Sequence, residues 1–439
     1  MSDLRVLAGH IVETLADRLS DPDVVQRAAD EEAASFGLNE ETYQDLSLAT
    51  GYPGVALLYT ELGRTDPWRR HTGHLMLARA TTCPHPPSGG SLYIGLPALA
   101  FAARTGAIGE GDYASLLEPL DHYISQLAEK RARTWRERFA ERGHVCGSMA
   151  LYDVIAGLAG LGRYLLLASP SGSDALREVL RYLVTISGSG MVAGHEVPGW
   201  WVSGGPRHDI PVDAPYHDGH ANVGISHGIS GPLALLALAW RAGVRVPGHQ
   251  EAMERIVDWL LGWRRPDGYG LRWPGTVTLD DHLGRTDVSP DCVASWCYGI
   301  PGVARAVQLA GLALNRPAWR DVALDAMRSL LDRPEHLWRL NSASVCHGWA
   351  GLLQIASRIA TDAGGDSVAG EVAEFAAERT IALFDPTLPL GYRYPMPAPR
   401  PPANGVGLLD GAAGTALALH GYATGSVREG RWDAALLLA

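Results

Sequence analysis

One short glycine motif recurs seven times and constrains this chain more than any other feature. It reads Gly, an apolar or aromatic residue, a small residue or Pro, then Gly or Ala, and an apolar run follows. The copies are Gly51-Tyr-Pro-Gly54, Gly95-Leu-Pro-Ala98, Gly157-Leu-Ala-Gly160, Gly228-Ile-Ser-Gly231, Gly299-Ile-Pro-Gly302, Gly348-Trp-Ala-Gly351 and Gly411-Ala-Ala-Gly414, spaced by 44, 62, 71, 71, 49 and 63 residues. Each interval holds two helices and their loops. The runs after the motif, such as PLALLALAWRAG and GVARAVQLAGLA, are apolar on most sides, as buried helices are. Pro53, Pro97, Pro232 and Pro301 suit a helix start, where a missing N–H costs nothing. Segments 251–264, 317–333 and 368–384 are amphipathic and read as outer helices. A buried helix alternating with an amphipathic one predicts an all-α fold, an α,α-barrel (toroid) of seven inner and seven outer helices, over a single domain spanning 1–439. A linear solenoid needs cap-like end repeats, whereas the last repeat, LLDGAAGTALALHGY, is as apolar as the middle ones. The Gly/Pro/Trp-rich stretch 188–226 reads as a long functional loop.

Composition narrows the function classes. Hydrophobic residues make up 46% and charged residues 19% of the 439 positions, enough for a large core and too apolar for a disordered chain. The net charge of −11, without a concentrated basic stripe, argues against nucleic acid or an anionic membrane surface as the main partner. The strongest apolar stretch, 231–240, falls well short of the ~20 residues of a membrane span. The acidic, amphipathic start is neither a secretory signal nor a transit peptide, so the expected location is cytoplasmic. Five cysteines are too few, and odd in number, for a disulfide framework.

The residue before each motif lies at a helix start, and in a closed barrel those starts converge. The slots hold Thr50, Ile94, Ala156, His227, Tyr298, His347 and Asp410, with Cys297 and Cys346 one position further back and Asp153 one turn before Ala156. Cys297, Cys346 and His347 are candidate Zn²⁺ ligands: thiolate and imidazole favour zinc, and three protein ligands leave one position open. Neighbouring Cys346 and His347 would point ~100° apart on a regular helix, so both reach one ion only at a loop or helix start. Buried structural cysteines are the competing reading.

These motifs together, Ser295-Trp296-Cys297-Tyr298-Gly299, Cys346-His347-Gly348, His227-Gly228-Ile-Ser-Gly231 and Tyr152-Asp153-Val-Ile-Ala-Gly157, resemble the lanthionine synthetase C-like family of lantibiotic cyclases. Pro198-Gly199-Trp200-Trp201 is similar to the family's loop before the His-Gly motif. The resemblance implies the toroid, zinc on Cys297, Cys346 and His347, and acid–base work by His227 and Asp153. It implies addition of a peptide Cys thiol to dehydroalanine or dehydrobutyrine, giving (methyl)lanthionine rings. It also implies a dehydrated precursor peptide as substrate, with a dehydratase and a transporter as partners and peripheral membrane association through them. One position departs from the pattern: Val293 stands where the family carries Arg, leaving Arg285 or Arg272 to reach in.

For His227 imidazole chemistry near neutral pH suits the acid that protonates the enolate, against a capping role. Asp153 orients His227 or takes the thiol proton, against an ordinary N-cap. Tyr298 lines the pocket or donates to the enolate, against plain packing. Asp410 reads as the cap of the last inner helix. Cys83, Cys146 and Cys292 read as spectators, Cys292 being the one near enough to compete for zinc. His217-Asp218-Gly-His220 reads as a solvated loop, and Trp200, Trp201 and Trp273 as either a peptide groove or core. The alternatives to a peptide cyclase are addition of a free thiol such as glutathione to dehydrated residues, a zinc prenyltransferase toroid, and a non-catalytic scaffold of a synthetase complex.

Overall fold

The computed structural model describes residues 3–35, 46–82, 90–142, 145–206, 215–286, 293–365, 367–395, 402, 404–427 and 431–439. Cys83 and Cys292 lie outside the described residues. The helices in chain order are α1 (Asp3–Arg18), α2 (Pro22–Ser35), α3 (Tyr52–Leu62), α4 (Pro67–Thr81), α5 (Leu96–Gly106), α6 (Ala114–Arg142), α7 (Leu158–Ala168), α8 (Asp174–Ile186), α9 (Ser230–Arg241), α10 (His249–Gly262), the single turn α11 (Leu279–His282), α12 (Ile300–Ala313), α13 (Pro317–Leu331), α14 (Trp349–Asp362), α15 (Val368–Ala382) and α16 (Ala412–Thr424). The stretch expected to be a long loop contains a hairpin, β1 (Ser189–Val192) with β2 (His195–Pro198), and β3 (His220–Asn222). The strand β3 pairs not with its neighbours but with β6 (Thr276–Thr278), downstream of the hairpin β4 (Arg265–Asp267) and β5 (Gly270–Arg272).

The chain divides into two compact units, 1–121 with 340–434, and 122–339 with 435–439. In the first, α3 packs on α4, α5 and α16, while α14 packs on α15 and α16. The N-terminal α1 covers α16 and α15, giving the last inner helix its outer partner. In the second, α9 packs on α7, α10 and α12, α12 on α13, and α7 on α8. Every residue of α3 is buried, as are Ser230–Ala239 of α9, so the helices after the motifs are the inner ones. Full burial of each leucine there contributes roughly 1.5–3 kcal/mol. Small residues let these helices approach: a Cβ on Gly162 of α7 would meet Leu235 Cδ2 of α9 at 2.5 Å. The amphipathic α8 instead buries one broad face, Ala175, Leu176, Val179, Leu180, Leu183 and Ile186 together with Glu178 and Tyr182.

Outer helices α4 and α8 use side-chain N-caps, Asp66 and Ser173, whereas the inner helices use none. Five inner helices are capped by backbone seven residues upstream. Ala159 and Gly160 donate to the carbonyls of Tyr152 and Asp153, Ile229 to Asn222, Ile300 to Val293, Trp349 and Gly351 to Ser342 and Ser344, and Ala412–Gly414 to Gly405–Gly407. The helix's orphan N–H groups are thereby satisfied without a side chain. The glycines follow from this close approach. A Cβ on Gly302 would lie 2.4 Å from the Trp296 carbonyl oxygen, and Gly299, at φ +97°, would meet that of Val293 at 1.7 Å.

Adjacent loops are stapled by further backbone bonds. In the first unit Val345 and Cys346 donate to Leu409, Leu408 to Leu48, and Leu48 to Tyr93. In the second Val154 donates to Ser226, and Ile225 and Ser226 to Cys297. The C-terminal segment completes the second unit: Trp296, Arg305 and Arg163 donate to the carbonyls of Leu436, Leu438 and Ala439.

Candidate metal and acid–base site

In the second unit the seven-residue loops hold an acid–base pair. Asp153 is 1% exposed, and its carboxylate is fully employed. Oδ1 accepts from the backbone N–H groups of Ala156 (2.8 Å) and Gly157 (2.7 Å), and Oδ2 lies 2.6 Å from His227 Nδ1. Asp153 thus caps the turn before α7 and also fixes the His227 ring, joining the two roles that the sequence left as alternatives. A carboxylate on Nδ1 sets the tautomer that leaves Nε2 facing outward, and the His227 side chain is 37% exposed.

The same unit carries Cys297 and Tyr298. Ser295, fully buried, donates to the Tyr298 carbonyl (2.7 Å) and lies 3.4 Å from Cys297 Sγ. Asn222, also fully buried, donates to the Tyr298 phenol oxygen at 2.9 Å. Neither Asn222 nor Ser295 was singled out from sequence, although Asn222 is a polar residue in the apolar run leading to His227.

In the first unit His347 N–H donates to Ser344 Oγ, and Cys346 N–H to the Leu409 carbonyl. Asp410 is not the cap of α16: Gly411 occupies that position with no side-chain bond, because the upstream carbonyls already fill it. Instead its Oδ1 lies 3.7 Å from His347 Nδ1. Burial raises its pKa, and His347 and Ser344 pull it back down. Tyr93, another residue missed from sequence, is buried beside Cys346; burial and the charge of that thiolate push its phenol well above the ordinary range.

Cys297 of the second unit and Cys346 and His347 of the first make up a Cys-Cys-His group that could hold a metal ion. The donor set, two sulfurs and an imidazole nitrogen, fits zinc.

The remaining expectations sort out physically. Val293 serves the fold through its carbonyl, which receives Ile300 N–H. Arg285 is tied to Asp280 and Arg272 to Asp267, so neither is committed to replacing the family Arg. Burial pushes the Cys146 thiol up to about 12. His217 is solvated, 79% exposed, but His220 is buried and bonds the Gly204 carbonyl, correcting the reading of both as solvated. Trp201 and Trp273 are core, their indoles donating to the carbonyls of Asp218 and Leu260. Trp200 is also buried but borders a cavity of about 530 Å³ with Trp259 and Arg255.

These features match known proteins. The solved structure of nisin cyclase superposes with a TM-score of 0.73 at 22% identity, covering 95% of this chain and 98% of that one, so the fold is the α,α-toroid expected from the repeats. The nisin biosynthesis protein NisC of Lactococcus lactis subsp. lactis is 24% identical over 334 residues, 73% of this chain and 75% of that protein. Residues 42–437 match the family described as lanthionine synthetase C-like protein, and the chain belongs to that family.

Proposed function

We propose that this chain is a zinc-dependent cyclase, one domain over 1–439, that closes (methyl)lanthionine rings in a dehydrated precursor peptide. The observation that carries the reading is the Cys297, Cys346 and His347 donor group, two sulfurs and an imidazole nitrogen. Zinc bound there lowers the pKa of a substrate Cys thiol so that it ionises near neutral pH, where a free thiol at about 8.5 is mostly protonated. The protein's own residues carry the later steps. Carbon–sulfur bond formation at the β-carbon of the dehydro residue pushes the π-electron pair toward the α-carbon and its carbonyl. His227, ring-locked by Asp153, delivers a proton from Nε2 to the α-carbon and is recharged by the proton the thiol gave up. Asn222 orients the Tyr298 phenol, whose O–H is the donor to the enolate oxygen. A dehydratase supplies the dehydro residues, a transporter takes the product, and association with the membrane runs through such partners. No described helix is long and apolar enough to cross one.

Ring closure leaves mass unchanged, so it is read by alkylation. Zinc-loaded protein incubated with a dehydrated, Cys-containing peptide should protect that Cys from N-ethylmaleimide. A mass increase on adding glutathione, without protection, would transfer the reading to intermolecular thiol addition. Absence of both results would remove the cyclase assignment.

A further inference from the structure

The slot before the last inner helix holds a carboxylate that the helix does not use. Asp410 does not cap α16, whose first N–H groups go to the carbonyls of Gly405, Val406 and Gly407. It is held in place all the same. The carbonyl of its neighbour Leu409 accepts the N–H groups of Val345 (2.9 Å) and Cys346 (3.1 Å), which pins this loop of the first unit to the Cys346–His347 loop. Ser344 braces the same corner: its Oγ accepts the His347 N–H at 3.1 Å, and its hydroxyl faces the Asp410 carboxylate.

Two observations show what the carboxylate is for. Asp410 Oδ1 is buried, although the side chain as a whole is 33% exposed, and it has no hydrogen-bond partner among the described residues. A buried carboxylate oxygen without a donor is costly, and most such oxygens in native proteins are paired. Opposite it, at 3.7 Å, stands His347 Nδ1, about 0.8 Å beyond an ordinary N–H···O contact. His227 shows the completed arrangement: Asp153 Oδ2 lies 2.6 Å from its Nδ1, while Asp153 Oδ1 is taken up by two backbone N–H groups. Asp153 therefore has both oxygens satisfied, whereas Asp410 keeps one in reserve beside the ring of a metal-ligand histidine.

Asp410 does not belong to the Cys-Cys-His group itself, so its influence on a metal runs through His347. An imidazole ligates through one ring nitrogen, and the N–H of the other needs an acceptor. A carboxylate in that place fixes the tautomer and the ring orientation and makes the ring a stronger donor.

We propose that Asp410 is the positioning carboxylate of the metal site: it accepts the Nδ1–H of His347 and so commits Nε2 to the metal, with Ser344 steadying both residues. The proposal rests on the zinc reading above and not on the reaction that zinc serves.

The test is the zinc affinity of the full chain, measured by competition with a chromophoric chelator. Asp410→Asn keeps an acceptor but loses the charge and should weaken zinc binding about tenfold; Asp410→Ala loses the acceptor and should weaken it about a hundredfold. Asp325→Asn on α13, exposed and paired with Arg328, removes the same charge elsewhere and should bind zinc as the native protein does. Because α16 keeps its backbone caps, metal-free Asp410→Asn should unfold at the native urea midpoint. In zinc-loaded protein labelled at the histidine ring nitrogens, the imidazole whose resonances move on metal removal should carry its proton on Nδ1. Native affinity in both Asp410 variants, a proton on Nε2 of that imidazole, or a lowered midpoint in metal-free Asp410→Asn overturns the proposal. Native protein that takes up no zinc sinks the zinc reading and the role of Asp410 with it. Zinc binding that is weakened in the Asp410 variants, without alkylation protection by the native protein, upholds that role and sinks the cyclase reading alone.

Discussion

The first two repeats and the last five differ in the slot before the inner helix. Before α3 and α5 the slots hold Thr50 and Ile94. In α7, α9, α12, α14 and α16 the upstream backbone caps the helix, and the loops carry Asp153, His227, Tyr298, His347 and Asp410. No inner helix draws on its slot side chain for a cap; the repeats differ in residue type, and the titratable groups of the candidate site occur in the last five.

The largest effect separates the two kinds of slot. Cys346→Ala should cost more than about a hundredfold in ring closure, exceeding the usual loss for an outer-shell change, and should abolish stoichiometric zinc by elemental analysis while leaving the circular dichroism helical. Thr50→Ala should leave zinc and turnover unchanged; a matching loss there would erase the distinction between the repeats. His227→Asn comes next: zinc retained, turnover down about 10²–10⁴-fold by the alkylation assay. Normal turnover in that variant would move proton delivery to another group.

Much of this was legible in the sequence because period and donor type survive without coordinates. The Gly pairs mark close backbone approach; Cys297 and Cys346 share a position two before the motif, His347 sits one before it, and all three share a metal preference. What was hidden depends on through-space partners. Nothing local tells that Asn222 meets Tyr298 across 76 residues, that Tyr93 lies beside Cys346, or that α1 covers α16. Asp410 was misassigned for the same reason: its cap is supplied by carbonyls whose position the sequence does not display. The pairing of β3 with β6 is likewise non-local and short, below the reach of alternation patterns.

A smaller effect tests why the motif keeps its second glycine. Gly302→Ala drives a methyl against the Trp296 carbonyl, a backbone atom that cannot swing aside. It should destabilise by roughly 1–3 kcal/mol in a urea titration. The second repeat already has Ala98 at this position, so Ala98→Gly should cost only about 1 kcal/mol, the helix-propensity difference. Equal costs would mean that the two kinds of helix start share one backbone geometry.

The smallest effect separates acid sensitivity of the fold from that of the site. His249 is 1% exposed, bonds the Leu236 carbonyl at 2.9 Å, and is pushed by burial from 6.5 down to about 4. Between those values the unfolded chain binds a proton that the native protein refuses. Stability is therefore complete above pH 6.5 and falls as pH drops toward 4, by at most about 3 kcal/mol. His249→Gln should lower stability at pH 7 yet flatten its pH dependence in that window. An unchanged slope in that variant would move the acid-labile element of the fold to another group.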